Sequence, residues 1–92
     1  MYVKSLNTLK KVESMSVQAY ILVQTDVGKS NEVAKAINEI QGVMNAEHVT
    51  GPYDVIVRAE AKDMDQLAKV VLTKVQTVKG ITRTLTCPIV NL

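Results

Sequence analysis

The 92-residue chain has no tryptophan, no phenylalanine, one cysteine and one histidine, and this scarcity excludes several kinds of site. A single cysteine, Cys87, cannot close a disulfide within the chain. Together with His48 it supplies two soft metal ligands, whereas a structural metal site needs about four. The chain has only two arginines and a net charge of +2, which is too small for a nucleic-acid-binding surface. We therefore expect no cofactor, no metal and no direct contact with nucleic acid.

Long apolar runs and glycine clusters are also lacking. Neither a signal-peptide pattern nor a run of membrane-spanning length occurs, so the expected setting is the reducing cytoplasm, with no membrane partner. The four glycines are isolated, which excludes a glycine-rich loop for nucleotide phosphates. No paired carboxylates indicate acid-base catalysis, so we expect a protein that is not an enzyme. The 47% hydrophobic content is that of one small folded domain with an aliphatic core.

The sequence contains two copies of one pattern. A helix-like apolar stripe, a glycine and the start of a strand recur with one offset, 38 positions from residue 37 to residue 75. The matched residues are Val33, Ile37, Ile40, Gly42 and Val43 in the first copy and Val71, Val75, Val78, Gly80 and Ile81 in the second. The same offset carries Val17 and Ala19 onto Val55 and Val57. Two β-α-β units joined in this way predict the order β-α-β-β-α-β.

The pattern predicts an α+β, ferredoxin-like sandwich with two helices on one face of a four-stranded antiparallel sheet. Strands are predicted at residues 17–24, 43–50, 53–60 and 81–89. Ser30 is expected to cap the first helix and Asp63, paired with Gln66, the second. Gly42 and Gly80 are expected to end the two helices.

The first strand is apolar on both of its faces. Tyr20 and Leu22 alternate with Ala19, Ile21 and Val23, so each side of this strand carries apolar groups. Because both helices cover the same side of the sheet, the other side of a monomer would leave apolar surface in water. A second copy of the chain is the simplest cover, and we expect dimers that pair through their sheets.

The connection between the second and third strands contains a glycine, a proline, a tyrosine and an aspartate, which is more than a β-hairpin turn requires. It can be interpreted as a turn alone, in which glycine and proline fix the backbone. It can also be interpreted as a binding site, because free backbone N–H groups beside Gly51 and Pro52 can hold a carboxylate. Asp54 can hold an ammonium group and Tyr53 can contact an apolar side chain. A ligand with a carboxylate, an ammonium group and an apolar side chain is a free amino acid.

Two segments of the chain resemble the effector domain of the Lrp/AsnC regulators of amino-acid metabolism. They are residues 49–54, Val-Thr-Gly-Pro-Tyr-Asp, and residues 78–84, Val-Lys-Gly-Ile-Thr-Arg-Thr, followed by Thr86. The resemblance extends from about residue 17 to residue 90. It implies homodimers that assemble into rings such as octamers and bind amino-acid effectors in clefts between dimers. The ligand-binding residues that it implies are Thr50, Gly51, Pro52, Tyr53, Asp54, Thr84 and Thr86.

The chain departs from this family at its N-terminus. Full-length members carry a winged helix-turn-helix, and only a short segment precedes the first strand here. We therefore expect residues 1–15 to form an N-terminal extension and residues 16–92 to form the ligand-binding domain. That domain would be a stand-alone form or a piece of a longer regulator. Regulation would then pass through assembly with full-length Lrp/AsnC regulators.

Two other functions fit the same strand order. A small dimeric α+β-barrel enzyme, of the monooxygenase or isomerase type, would need a pocket between sheet and helices with His48 as its acid-base group. A purely structural oligomerisation domain would respond to no ligand.

Overall fold

The computed structural model describes residues 16–90, which form four strands and two helices in the predicted order. The strands are β1 (Val17–Thr25), β2 (Val43–His48), β3 (Val55–Ala61) and β4 (Ile81–Pro88). Helix α1 spans Ser30–Asn38, and α2 spans residues 64–76. The expected N-terminal extension, residues 1–15, lies outside the described residues. Within residues 16–90, neither helix combines the length and apolarity that a membrane span requires.

The four strands form one antiparallel sheet in the order β2-β3-β1-β4. One face of this sheet packs against both helices, and the buried core lies between them. Its largest members are Ile21, Val23, Val33, Ile37, Val55, Val57, Leu67, Val71 and Val75. These are the apolar positions that alternate along the strands and recur at helical spacing in α1 and α2. The ferredoxin-like α+β fold is thereby confirmed.

The strand pairings show that the offset of 38 residues does not relate every strand of the first copy to its equivalent in the second. In β2 and β3, Ala46 pairs with Val57, and in β4 and β1 the equivalent pair is Thr84 with Val23. The offset is therefore 38 from β2 to β4 but 34 from β1 to β3, where residue 23 corresponds to residue 57. The predicted match of Val17 with Val55 is wrong by four residues.

The four additional residues of the second copy lie in helix α2. Helix α1 has nine residues, whereas α2 runs through an α-helical turn of three, a π-helical segment of six and an α-helical end of four. These three segments are Met64–Gln66, Leu67–Leu72 and Thr73–Gln76. One extra turn leaves the apolar stripe facing the core, since a turn takes 3.6 residues. The offset of 38 therefore holds at the C-terminal ends of the helices and for β2 and β4, whereas the helix starts and β1 and β3 are related by 34.

Of the predicted helix termini, the cap at Asp63 is confirmed, whereas α1 and α2 end at Asn38 and Gln76, four residues before Gly42 and Gly80. Asp63 accepts a hydrogen bond from the Gln66 N–H at 2.8 Å and caps α2. Gly42 and Gly80 both have φ of +99°, in the left-handed region that favours glycine. Ser30 is not the cap of α1: it is the first helical residue, and the preceding Lys29 makes no side-chain capping bond.

The second face of the sheet carries no helix and is partly apolar. Ile56, Leu22 and Leu85 lie side by side on β3, β1 and β4, because Leu22 pairs with both of the others. Tyr20 lies on the same face, with the Arg58 guanidinium 5.6 Å from its ring centroid. Ile56 is 39% exposed and Leu85 43% exposed, which is unusual for large aliphatic side chains in the middle of strands. We call these four apolar residues, Tyr20, Leu22, Ile56 and Leu85, the open-face patch.

Candidate ligand-binding site

Residues 49–54 connect β2 to β3, and backbone hydrogen bonds fix this connection at its base. The Val49 N–H donates to the Asp54 carbonyl at 2.8 Å, which closes the loop between the two strands. Gly51 has φ of +152°, a backbone geometry that other residues rarely adopt, and Pro52 restricts the next position. Thr50, Gly51 and Pro52 are exposed, whereas Tyr53 and Asp54 are half-buried. The tip of the connection is thus open to solvent on a constrained base.

Asp54 holds the connection against the end of β1. Its carboxylate Oδ2 accepts a hydrogen bond from the Thr25 N–H at 2.8 Å, and its own N–H donates to the Val23 carbonyl at 2.8 Å. The Thr25 N–H needs this partner because β1 and β4 change register between Gln24 and Thr25. Asp54 therefore has a structural contact as well as its predicted role toward a ligand.

Gln24 adds a third tie between β1 and the connection. Its side-chain Nε2 donates to the Pro52 carbonyl at 3.0 Å. Strand residues alternate between faces, and because Val23 is buried in the core, Gln24 lies on the open face. The turn therefore folds toward the end of β1 on the open side of the sheet.

Thr84 and Thr86 lie on β4, on the opposite side of β1 from the connection. They pair with Val23 and Ile21 and are half-buried on the helix-covered face. Since neighbouring strands are about 4.8 Å apart, the backbone of Thr84 lies about 10 Å from that of Val55, where β3 begins. Within one chain the two groups of predicted site residues occupy the same part of the fold but do not meet.

Thr84 lines an open groove of about 290 Å³ at the edge of the sheet, together with Gln76, Ile81, Thr82 and Arg83. The Ile89 N–H donates to the Gln18 carbonyl, so alternate β4 residues, including Leu85 and Arg83, direct their N–H groups at β1. Thr84 and Thr86 therefore direct theirs away from the sheet. Pro88 falls in this outward series, where its missing N–H disturbs no strand pairing.

The two edges of the sheet differ in how they are closed. At β2, the Asn38 amide donates to the Ala46 carbonyl at 2.8 Å and accepts from the Ala46 N–H at 3.0 Å. The equivalent residues of the second copy are Gln76 and Thr84, and no hydrogen bond joins them within residues 16–90. The backbone of β4 at Thr84 is thus open, while that of β2 is occupied by a side chain.

His48 and Cys87 do not form a common site. Both are exposed; His48 pairs with Val55 on β2 and Cys87 with Tyr20 on β4, so they lie on opposite edges of the sheet. His48 lines an open groove of about 510 Å³ between α1 and β2. Among residues 16–90, no three His, Cys, Asp or Glu side chains are grouped so as to hold a metal ion.

Sequence reasoning missed the residues that position the turn. Gln24 was visible only as a polar end of the first strand, and its contact with Pro52 depends on how the connection folds back. The bond between Asn38 and Ala46 depends on which strand forms the edge. The helical spacing of Asn38 could have indicated where its side chain lies, because Asn38 follows Ala34 by one helical turn and lines the same groove.

A family model described as "Lrp/AsnC ligand binding domain" matches residues 18–91. The chain belongs to this family. The resemblance inferred from the two motifs is thereby confirmed, and the match includes every predicted site residue.

Relatives and solved structures agree with this assignment. The chain is 28% identical over 76 residues to an uncharacterized HTH-type transcriptional regulator of Pyrococcus furiosus, covering 79% of this chain and 51% of that protein. It thus spans about half the length of the curated regulators that it matches. A crystal structure of a Thermus thermophilus protein is 28% identical, with a TM-score of 0.75 over 83% of this chain and 95% of that one.

Two more distant structures share the fold. Escherichia coli AsnC has a TM-score of 0.80 at 18% identity, covering all of this chain and 62% of its own. A transcriptional regulator from Neisseria meningitidis, solved as a complex with L-methionine, has a TM-score of 0.74 at 19% identity, covering 99% of this chain and 59% of its own.

Enzymes also carry a similar segment. The chain is 33% identical over 79 residues to the homocitrate synthase of Sulfolobus acidocaldarius, covering 85% of this chain but 17% of that enzyme. A short segment of a long enzyme carries no indication of where its catalytic residues lie. The family is mostly regulatory.

Proposed function

We propose that this domain binds a free amino acid between protomers and that binding changes the assembly of the chain. The observation that carries the proposal is the turn at residues 50–54, because its tip is exposed while three contacts with β1 hold its base. A binding loop held in one conformation loses less entropy when a ligand orders it. Membership of a ligand-binding family and the L-methionine complex of a structural neighbour support the class of ligand.

The site needs two chains. Within one chain, β1 separates the turn from Thr84 and Thr86, so a ligand that touches both groups must lie between protomers. In this proposal the turn at residues 50–54 of one protomer faces the groove beside Thr84 of a neighbour. The outward N–H groups of Thr84 and Thr86 then provide hydrogen bonds that no side chain of their own protomer takes.

The open-face patch supports a homodimer that pairs through the sheets. Its four residues are apolar, adjacent and unprotected by helices, and an identical patch on a second copy would cover them. Leu22 and Ile56 occupy equivalent positions in the two copies of the repeat, so the local two-fold axis of the sheet passes between them. Further assembly into rings such as octamers would bring turns and grooves of different dimers together.

The biological role proposed for the domain is regulatory. Its partners would include full-length Lrp/AsnC regulators in the cytoplasm, since curated relatives that it matches are described as HTH-type transcriptional regulators. An amino acid would change transcription through such mixed assemblies, without direct binding of this domain to nucleic acid.

A thermal-shift screen of the twenty amino acids, followed by size-exclusion chromatography with light scattering, tests the proposal. At a hundred times its dissociation constant, a ligand that binds only the folded state stabilises it by about 2.7 kcal/mol. We expect at least one amino acid to raise the melting temperature and to alter the oligomer distribution. The His48→Ala variant is the control and should respond as the wild type does. A monomer that no amino acid stabilises would refute the proposal.

A further inference from the structure

The two arginines of the chain have different surroundings. Arg58 donates to the Gln18 Oε1 at 2.6 Å and lies over the Tyr20 ring, so its guanidinium has two partners. Arg83 is exposed and, within residues 16–90, has no ion pair or side-chain hydrogen bond. Its planar group of five N–H donors is therefore available to a ligand.

Arg83 lies beside the candidate turn. It pairs with Gln24 across β1 and β4, so the two side chains lie on the same face of the sheet, with their Cβ atoms about 5.5 Å apart. Gln24 in turn donates to the Pro52 carbonyl at 3.0 Å. Gln24 thus lies between Arg83 and the turn of the same protomer.

Arg83 also borders the second half of the proposed site. It lines the groove of about 290 Å³ that contains Thr84 at the edge of β4. In sequence it lies between Thr82 and Thr84, which line the same groove. Within the described part of the chain, Arg83 is therefore a cation without an ion pair in the groove where the ligand is proposed to lie.

We infer that Arg83 binds the α-carboxylate of the amino acid. This inference rests on the proposed function. A guanidinium matches a carboxylate through two parallel N–H···O bonds, which fixes the orientation of the ligand as well as its affinity. With the carboxylate at Arg83 of one protomer, the ammonium group is directed to the turn of the neighbouring protomer that faces this groove, where the Asp54 carboxylate supplies the opposite charge.

The test compares amino acids with their α-carboxamides, which keep the ammonium group and the side chain but lose the negative charge. The probes are the twenty amino acids of the thermal-shift screen and the α-carboxamide of each. Binding is measured by calorimetry for the wild type, Arg83→Gln, Arg83→Lys and Arg58→Gln. The two glutamine variants remove one positive charge from the same sheet face, so Arg58→Gln is the matched control.

We expect the wild type to bind at least one acid about tenfold or more tightly than its amide. Arg83→Gln should lose that preference, Arg83→Lys should retain part of it, and Arg58→Gln should retain all of it. Light scattering on each variant checks that the oligomer is unchanged.

Four results would overturn the inference. If Arg83→Gln binds as the wild type does, Arg83 is not the carboxylate site, although the proposed function stands. If both glutamine variants lose the preference, the positive charge of the whole sheet face causes it and Arg83 has no specific role. If Arg83→Gln alone dissociates the oligomer, the lost preference follows from the changed assembly and not from a lost contact with the carboxylate. If the wild type binds none of the acids, the proposed function fails and the inference fails with it.

Discussion

Replacement of Asp54 by alanine measures how much the structural contact of this residue contributes to stability. The change removes the acceptor of the Thr25 N–H, which lies 2.8 Å from Oδ2 where β1 and β4 change register. A hydrogen bond to a charged group contributes about 1.5 to 3 kcal/mol, and Asp54 is half-buried, so solvent recovers part of the loss. We expect Asp54→Ala to lower the free energy of unfolding by about 1.5 kcal/mol.

The expected loss corresponds to a fall in melting temperature of about 6 to 12 °C for a domain of this size. Asp54→Asn keeps an acceptor oxygen without the charge and should lose about half as much. Circular dichroism followed through urea and thermal unfolding gives both values. Asp65→Asn is the control, because its carboxylate lies 3.3 Å from the Lys69 Nζ on an exposed helix surface and should matter little. An Asp54→Ala variant as stable as wild type would refute the reasoning.

Further predictions concern two glycines with positive φ and the β2 edge of the sheet. Gly42→Ala should lose about 2 to 4 kcal/mol of stability in urea unfolding, because its φ is +99° and the new Cβ would lie 2.6 Å from Val71 Cγ2. Gly28→Ala, with φ of +79° and open space around it, should lose only about 1 kcal/mol, and equal losses would contradict the packing argument. Asn38→Ala should cost about 1 to 3 kcal/mol and promote concentration-dependent association in light scattering, since it uncovers the β2 edge. Gln76→Ala is its control and should change neither property; equal behaviour of the two variants would show that Asn38 does not protect the edge.

The order of elements could be predicted because the internal repeat is strong. Alternation at Ala19, Ile21 and Val23 identified the buried face of β1, and Gly42 and Gly80 marked the turns between each helix and the strand that follows it. The connection at residues 49–54 was also predicted, although both flanking strands stop short of their expected limits. These features are local: each depends on the periodicity or backbone preference of a few consecutive residues.

The features that the sequence did not reveal depend on how distant segments meet. An insertion of four residues in α2 is close to one helical turn, so it leaves the apolar stripe in phase and is invisible to periodicity. The first helix begins without the capping bond expected of Ser30 because Lys29 occupies the cap position. The bond from Thr25 to Asp54 exists only because β1 and β3 are neighbours in the sheet. No residue spacing in the sequence predicts that contact.

The same reason limited the prediction of the site. The turn at residues 50–54 was identified from its composition, because it contains a tyrosine and an aspartate in addition to the glycine and proline that a turn uses. Its supports, Gln24 and Thr25, and the free guanidinium of Arg83 became apparent only from the strand register. Residues on neighbouring strands come together through pairing, which a single sequence does not specify for a four-stranded sheet.

The central claim is that the turn at residues 50–54 holds an amino acid. Backbone amide NMR, recorded while a stabilising amino acid is added, tests it most directly, since each N–H reports on its own surroundings. The account predicts that the amide signals of Thr50, Gly51 and Asp54 move together with those of Thr84 and Thr86. Shifts confined to the groove beside His48, or no saturable shift at residues 50–54, would contradict it.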